Sequence, residues 1–164
     1  GIMLYGCRPD PGQEFGAELA PVASLKGRVV KIKHVPAGTT VSYGWNYTAP
    51  ADTAIATIAL GYGQGLPRLL TGSGEILIGG ERYRIAGNVT MDYIMVDAGA
   101  APRFEVGAEA VAIGSQGEEQ ITADDIARRC GTIGYEILCN LGTDIERRYY
   151  FKGKLHGRRN GLSM

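Results

Sequence analysis

The sequence predicts a mainly β fold, a small barrel or sandwich-like domain carrying two short helices, and three observations predict it. Short β-branched and apolar runs succeed one another at close spacing along most of the chain. Glycine supplies 25 of the 164 residues, about twice the usual share of ~7 %, and it stands where such runs end and tight turns are needed. Helical start and stop signals occur only in one late segment. Strands throughout, with helices confined to one place, point to a closed or sandwiched sheet.

The elements follow in order. "GIMLYG" (residues 1–6) is a short apolar run of the kind that forms a buried parallel strand. It has no initiator methionine and no polar lead, so it reads as cut from something longer; a boundary at the edge of an independent β domain is the alternative. "CRPDPGQEFGAEL" is loop-like, and the internal boundary is placed near Asp10 to Leu19. The expected segments are therefore 1–18 (a strand and linker), 19–151 (the β domain) and 152–164 (a basic, frayed tail). In "VASLKGRVVKIKHV", Val30 and Ile32 alternate with Lys31 and Lys33, the period of a half-buried strand. "PAGTTVSYG" turns at Ala37-Gly38 and runs into Tyr43. "TAIATIALGYG" is apolar on both faces and reads as a central strand. "GEILIGGERYRI" predicts a hairpin, because a primed two-residue turn needs positive φ at both central positions and Gly79-Gly80 supplies them. "DYIMVDAG" and "EAVAIG" add two strands. "TADDIARRCG" then opens with the capping-box pattern of Thr122 and Asp125 and stops at Gly131, while "TIGYEILCNLG" opens at Thr132 and stops at Gly142. "IERRYYF" returns to strand.

Composition excludes several functions. Seventeen basic and seventeen acidic side chains cancel, so no overall field draws the chain to nucleic acid or an anionic membrane. No apolar run approaches the ~20 residues of a membrane span. Cys7, Cys130 and Cys139 lack any C-x-x-C spacing and are odd in number. They fit a reducing, cytoplasmic setting and read as small hydrophobes, with Cys139 in the core. Two histidines, His34 and His156, offer little for a transition-metal site, and no metal is assigned. "GYGQG" has the wrong spacing for a dinucleotide-binding loop.

What remains is a set of polar and aromatic residues beside glycine at strand ends: Tyr43 in "SYG", Tyr62 in "GYG", Met91 and Asp92 in "VTMDY", and Tyr135 in "TIGYE". Taken singly, a tyrosine at a strand end ordinarily buries its ring and offers its hydroxyl to water or a carbonyl. Taken together, "GIMLYG", "PVASLKGRVV", "GTTVSYGWNYTA", "IALGYGQG", "VTMDYIMVD", "TADDIA" and "GTIGYEILCNLG" resemble, in order and spacing, the C-terminal domain of bacterial alanine racemase, a fold-type III enzyme that uses pyridoxal 5'-phosphate (PLP).

The resemblance implies a β domain that follows an (α/β) barrel holding PLP on a lysine, with "GIMLYG" as the last barrel strand. It implies a head-to-tail homodimer that interconverts L- and D-alanine and supplies D-alanine for peptidoglycan. Racemisation takes a proton from one face of a planar carbanion and returns one to the other, so two acid–base groups are needed. By resemblance the PLP lysine serves the D face and Tyr43 the L face of the partner's site. A phenol of ordinary pKa ~10 needs a cationic neighbour for that work, and the family's arginine would lie in the barrel. Met91 matches the residue whose N–H meets the substrate carboxylate, Asp92 supports that loop, and Tyr62 matches the inner mouth of the substrate corridor. Tyr135, with the backbone of Gly1 and Ile2, matches the phosphate donors. Without the barrel the chain is expected to be inactive. Three positions depart from the family: Asn88 where an arginine is usual, Gln64 where aspartate is common, and Trp45 where a smaller residue is usual. Two other readings are the racemase part of a membrane-anchored serine/alanine racemase and a stand-alone non-catalytic β-barrel that binds a partner.

Overall fold

A computed structural model describes residues 1–10, 16 and 18–161. Its strands are β1 (Leu25–Val35), β2 (Thr40–Val41), β3 (Tyr47–Thr48), β4 (Thr53–Ala59), β5 (Glu75–Ile78), β6 (Glu81–Arg84), β7 (Tyr93–Asp97), β8 (Glu109–Gln116), β9 (Glu119–Ile121), β10 (Arg147–Phe151) and β11 (Lys154–Arg159); its helices are α1 (Ala123–Cys130) and α2 (Gly134–Cys139). The main sheet runs β6-β5-β8-β1-β4-β7, with β9 added on β8 and every pairing antiparallel. A bridge between Ile85 and Val96, with the Ala86 N–H donating to the Met95 carbonyl at 2.8 Å, joins the two ends of this order. This bridge brings the two edge strands of the sheet together in the manner of a small barrel.

β1 makes the closure possible. It pairs with β8 through residues 25–28 and with β4 from Val29 onward, and its register shifts at Leu25/Lys26 and at Val29/Lys31. Such bulges bend a strand from one half of a barrel to the other. They also displace the inward residue: Val29 is buried and Val30 is exposed, so the simple alternation expected of Val30 and Ile32 does not hold. β4 is central, as its sequence predicts, and is buried along most of its length. Inside lie Val29, Ile58, Leu60, Leu66, Ile76, Leu77, Ile78, Ile94 and Ile113, with Ile126 and Ile137 brought down by the helices. Burying each large aliphatic side chain is worth about 1.5–3 kcal/mol. A smaller cluster of Val35, Val41, Ala49, Ile55 and Ala86 lies apart from this core, and Tyr47 and Met95 pack on it.

The local signals at two turns behave as expected. Gly79 and Gly80 have φ of 62° and 83° and close the β5–β6 hairpin. Thr122 accepts from the Asp125 N–H at 3.1 Å, and the Asp125 carboxylate accepts from the Thr122 N–H at 2.9 Å, so α1 starts with a capping box. Gly131 ends α1 in the left-handed region.

Four expectations need correction. "GIMLYG" is a 3-10 turn over Ile2–Tyr5, closed by Leu4 N–H to the Gly1 carbonyl and Gly6 N–H to the Met3 carbonyl, with Leu4 and Tyr5 exposed. No strand lies beside it among the described residues, and a lone strand would leave its polar backbone unpaired. The helix expected from Thr132 begins at Gly134, with Thr132 hydrogen-bonded to the Glu136 side chain outside it. Cys139 is exposed, because α2 buries the face of Gly134 and Ile137 and a residue two positions after Ile137 lies on the opposite face; Cys7 is the buried cysteine. Lys154–Arg159 is strand β11, paired with β10 across Lys152-Gly153, both at positive φ. The boundary sought between Asp10 and Leu19 falls mostly outside the described residues, as do the last three residues of the tail.

Candidate functional site

β2 and β3 form a hairpin of two residue pairs, Thr40 with Thr48 and Val41 with Tyr47, whose tip is residues 42–46. Tyr43 and Trp45 project from this tip, 77 % and 76 % exposed. The tip is strained. Ser42 adopts φ 69°, ψ 176°, a region populated almost only by glycine, and Trp45 has φ 52°. Strain of this kind costs on the order of 1–3 kcal/mol per residue and persists only where surrounding structure imposes it.

Asn88 imposes it here. Only 8 % exposed, it donates from Nδ2 to the Tyr43 carbonyl at 2.6 Å and accepts at Oδ1 from Asn46 Nδ2 at 2.8 Å. Its carbonyl accepts from Ser42 Oγ at 3.2 Å. Gly87 permits the approach: a Cβ there would lie 2.5 Å from Ser42 Cβ, and its φ of +81° is left-handed. Beneath the hairpin, Asp97 accepts from the hydroxyls of Tyr47 and Thr53 and from the Gly99 N–H at 3.0 Å. Burial alone would raise the Asp97 carboxyl, but the Thr53 and Tyr47 hydrogen bonds outweigh it and hold the group below its usual value. Burial, with the bond to Asp97, pushes the Tyr47 phenol up to about 12.

Met91 and Asp92 follow Asn88 in the same loop, and the Tyr62 turn is locked to them. The Tyr62 N–H donates to the Thr90 carbonyl at 3.0 Å and the Gly63 N–H to the Met91 carbonyl at 2.9 Å. Gly61 lies so close that a Cβ would sit 2.3 Å from two carbonyl oxygens. Gln64 spans the junction, accepting from the Gly61 N–H at 2.8 Å and donating to Asp92 at 3.4 Å. Tyr43, Tyr62, Met91 and Asp92 therefore stand on loops joined by direct hydrogen bonds, and the first three side chains are largely exposed.

Tyr135 belongs to a second neighbourhood. It sits on α2 just after Gly134, whose Cβ would meet Asp124 Oδ1 at 2.3 Å and Cys7 Sγ at 3.3 Å. Asp124 also accepts from the Arg8 N–H at 3.1 Å. Cys7 and Arg8, a few residues after Gly1 and Ile2, are thus packed against the elements that carry Tyr135. Gly142, shortly after α2, donates to the Gln64 carbonyl at 3.1 Å and ties this neighbourhood to the Tyr62 turn.

Two open clefts lie away from these residues. One of about 370 Å³ is bordered by His34, Val35, Pro36, Asp52, Thr53 and Ala100, and one of about 120 Å³ lies among Glu75, Arg82, Asp125 and Arg129. Among the described residues no group of three or more histidine, cysteine or acidic side chains is placed to hold a metal, and no helix is long and apolar enough to cross a membrane. Sequence reasoning missed the Ser42, Asn46 and Asn88 bonds and the Asp97 cluster. The only signals were an aspartate closing an apolar strand in "IMVD" and two asparagines in loops, neither of which names its partner.

A β-barrel that carries exposed tyrosines on hydrogen-bonded loops is the class of domain these residues define. The chain belongs to the alanine racemase family, and it corresponds to the C-terminal domain: the family described as "Alanine racemase, C-terminal domain" matches residues 22–149. The alanine racemase of Halothermothrix orenii is 43 % identical over 157 residues, covering 96 % of this chain and 41 % of that protein. That of Carboxydothermus hydrogenoformans is 48 % identical over 151 residues, covering 91 % and 41 %. The crystal structure of the Bacillus anthracis alanine racemase with bound L-Ala-P superposes with a TM-score of 0.91 at 35 % identity, over 98 % of this chain and 41 % of that one. The chain thus spans about two fifths of the length of the relatives it matches.

Proposed function

We propose that the chain acts within a PLP-dependent racemase that interconverts L- and D-alanine, and that Tyr43 is the acid–base group for the L face of the substrate. In this reading the partner is the barrel of the same enzyme, in a head-to-tail homodimer, and Tyr43 works in the other subunit's site. The observation that carries it is the exposed phenol on a strained tip that long-range hydrogen bonds hold in one geometry.

Bound PLP supplies the electron sink that makes the α-carbon acidic. Tyr43 Oη takes the α-proton of the L-enantiomer, or returns a proton to the same face, while a group outside this chain serves the opposite face. A phenol doing this near neutral pH needs a cation beside it. The side chains bonded to the tip, Ser42, Asn46 and Asn88, are neutral, and by the family resemblance that cation would be an arginine of the barrel. The Met91 N–H would receive the substrate carboxylate, with Asp92 steadying its loop and Tyr62 bordering the approach.

The residues that would hold the cofactor's phosphate fit an anion: Tyr135 offers a half-exposed phenol, and Gly1 and Ile2 offer backbone N–H groups at the start of a 3-10 turn, where they have no acceptor within the turn. The test is α-deuterium exchange by intact enzyme carrying Tyr43→Phe. A general base contributes on the order of 10²–10⁴ in rate. Exchange from L-alanine should fall by that order and exchange from D-alanine far less. Equal, small losses on both sides would overturn the reading.

A further inference from the structure

We infer that Asn88 is the positioning residue that sets the Tyr43 phenol for proton transfer; this rests on the reading of Tyr43 as the L-face group. The observations converge on Asn88 and the loop that carries it. Asn88 is buried, yet it spends its hydrogen bonds on the exposed tip: Nδ2 to the Tyr43 carbonyl at 2.6 Å, Oδ1 from Asn46 at 2.8 Å and its own carbonyl from Ser42 at 3.2 Å. The Tyr43 carbonyl is thereby fixed, and with it the peptide plane between Tyr43 and Gly44. Residues on both sides of that plane, Ser42, Gly44 and Trp45, have positive φ, a conformation the tip would not keep unaided. Gly87 is shaped for this contact, since any Cβ would strike Ser42. Met91, three residues on, carries the loop to the Tyr62 turn, so one segment sets the tip and the turn together.

Asparagine is the side chain this geometry needs. Its amide offers a donor and an acceptor at one point. An arginine there has donors only, so it could keep a bond to the Tyr43 carbonyl but would require Asn46 to turn its amide oxygen inward. An aspartate keeps the acceptor for Asn46 but loses the donor to Tyr43. The Asn46–Asn88 bond makes this a neutral clamp on the tip. A catalytic phenol displaced by about 1 Å loses on the order of 10²-fold in rate, so a clamp on the residue that bears it acts on chemistry rather than on stability alone.

The test uses intact holoenzyme carrying Asn88→Ala, Asn88→Asp or Asn46→Ala, beside Tyr43→Phe. Two quantities are read: α-deuterium exchange from each enantiomer, and the fluorescence anisotropy of Trp45, the one tryptophan of this chain, isolated by subtraction of a Trp45→Phe protein. Asn88→Ala is expected to lower L-alanine exchange roughly 10²-fold, leave D-alanine exchange near wild type and reduce Trp45 anisotropy. Asn88→Asp and Asn46→Ala, which each remove one of the two side-chain bonds, should show smaller losses of the same kind, and they carry the test if the alanine variant does not fold. Unchanged L-alanine exchange, or equal losses on both faces with Trp45 anisotropy unmoved, would overturn the role of Asn88 while leaving Tyr43 in place. A Tyr43→Phe enzyme without preference for the L side would overturn the reading of Tyr43 and the Asn88 assignment with it.

Discussion

Two hairpins of this domain reach the same result, a reversal of the chain, by opposite means. In β5–β6 the two residues that must adopt positive φ are glycines, their added Cβ atoms would meet at most ordinary contact, and the flanking Ile76, Leu77 and Ile78 are buried in the main core. Sequence, turn and packing agree. In β2–β3 the strands are two residues long, serine and tryptophan take positive φ, and the largest side chains at the tip face outward. Its geometry is set from elsewhere, by Asn88 across 42 to 46 residues and by the Asp97 cluster below. A turn built only to reverse the chain needs no help from a distance. One that is held in a costly shape by distant groups is kept for what it presents, which is the usual setting for stored strain.

The largest expected effect separates the hairpins by activity. Tyr43→Phe should cost the intact enzyme on the order of 10²–10⁴ in L-alanine exchange, whereas Gly80→Ala should leave exchange from both enantiomers at wild-type rates; a comparable loss from the glycine variant would erase the distinction. Next is the support under the tip. Asp97→Asn should destabilise the protein by about 1–3 kcal/mol, because the Tyr47 and Thr53 hydroxyls lose a charged acceptor in a partly buried place. Its pH signature has a definite sign. The Asp97 carboxyl lies lower in the fold than when unfolded, so its contribution is present above the usual carboxylate range and is lost as pH falls through the folded value. Tyr47 lies higher, near 12, so its contribution is complete below about 10 and is lost as pH rises from there through about 12. Denaturant titrations across pH should show both limbs in the wild type and a weakened acid limb in Asp97→Asn.

Gly79→Ala comes third. With open space around its Cβ it should cost only the left-handed backbone penalty, roughly 1–2 kcal/mol, visible as a lower Tm. The smallest effect is on Ser42→Gly. Relief of strain at φ 69°, ψ 176° opposes the lost bond to Asn88 and the added chain entropy, so stability should move by no more than about 1 kcal/mol while Trp45 becomes more mobile.

Legibility in the sequence follows the same division. The Gly79-Gly80 hairpin, the central strand at Thr53 and the α1 capping box were readable because each rests on residues a few positions apart. "GIMLYG" was not, because a short apolar run is a strand only when another strand pairs with it, and periodicity cannot supply the neighbour. Val30 misled because a bulge in β1 changes which residue faces inward. Lys154–Arg159 was hidden by its charge, although Gly153 marks the turn. At the candidate site, resemblance singles out Tyr43, Tyr62, Met91 and Asp92, but it does not reveal the hydrogen bonds that join their loops, since an asparagine in sequence does not name a partner over forty residues away.

The account rests on Tyr43 completing a site on another subunit, and complementation between subunits tests this most directly. Protomers of the intact enzyme carrying Tyr43→Phe would be paired with protomers in which the cofactor lysine of the barrel is replaced, and racemisation by the purified heterodimer measured. If Tyr43 serves the partner, one site in each heterodimer recovers both groups and activity approaches half that of the wild type. If the heterodimer is as inactive as its two parents, Tyr43 acts within its own subunit or not at all, and the account fails.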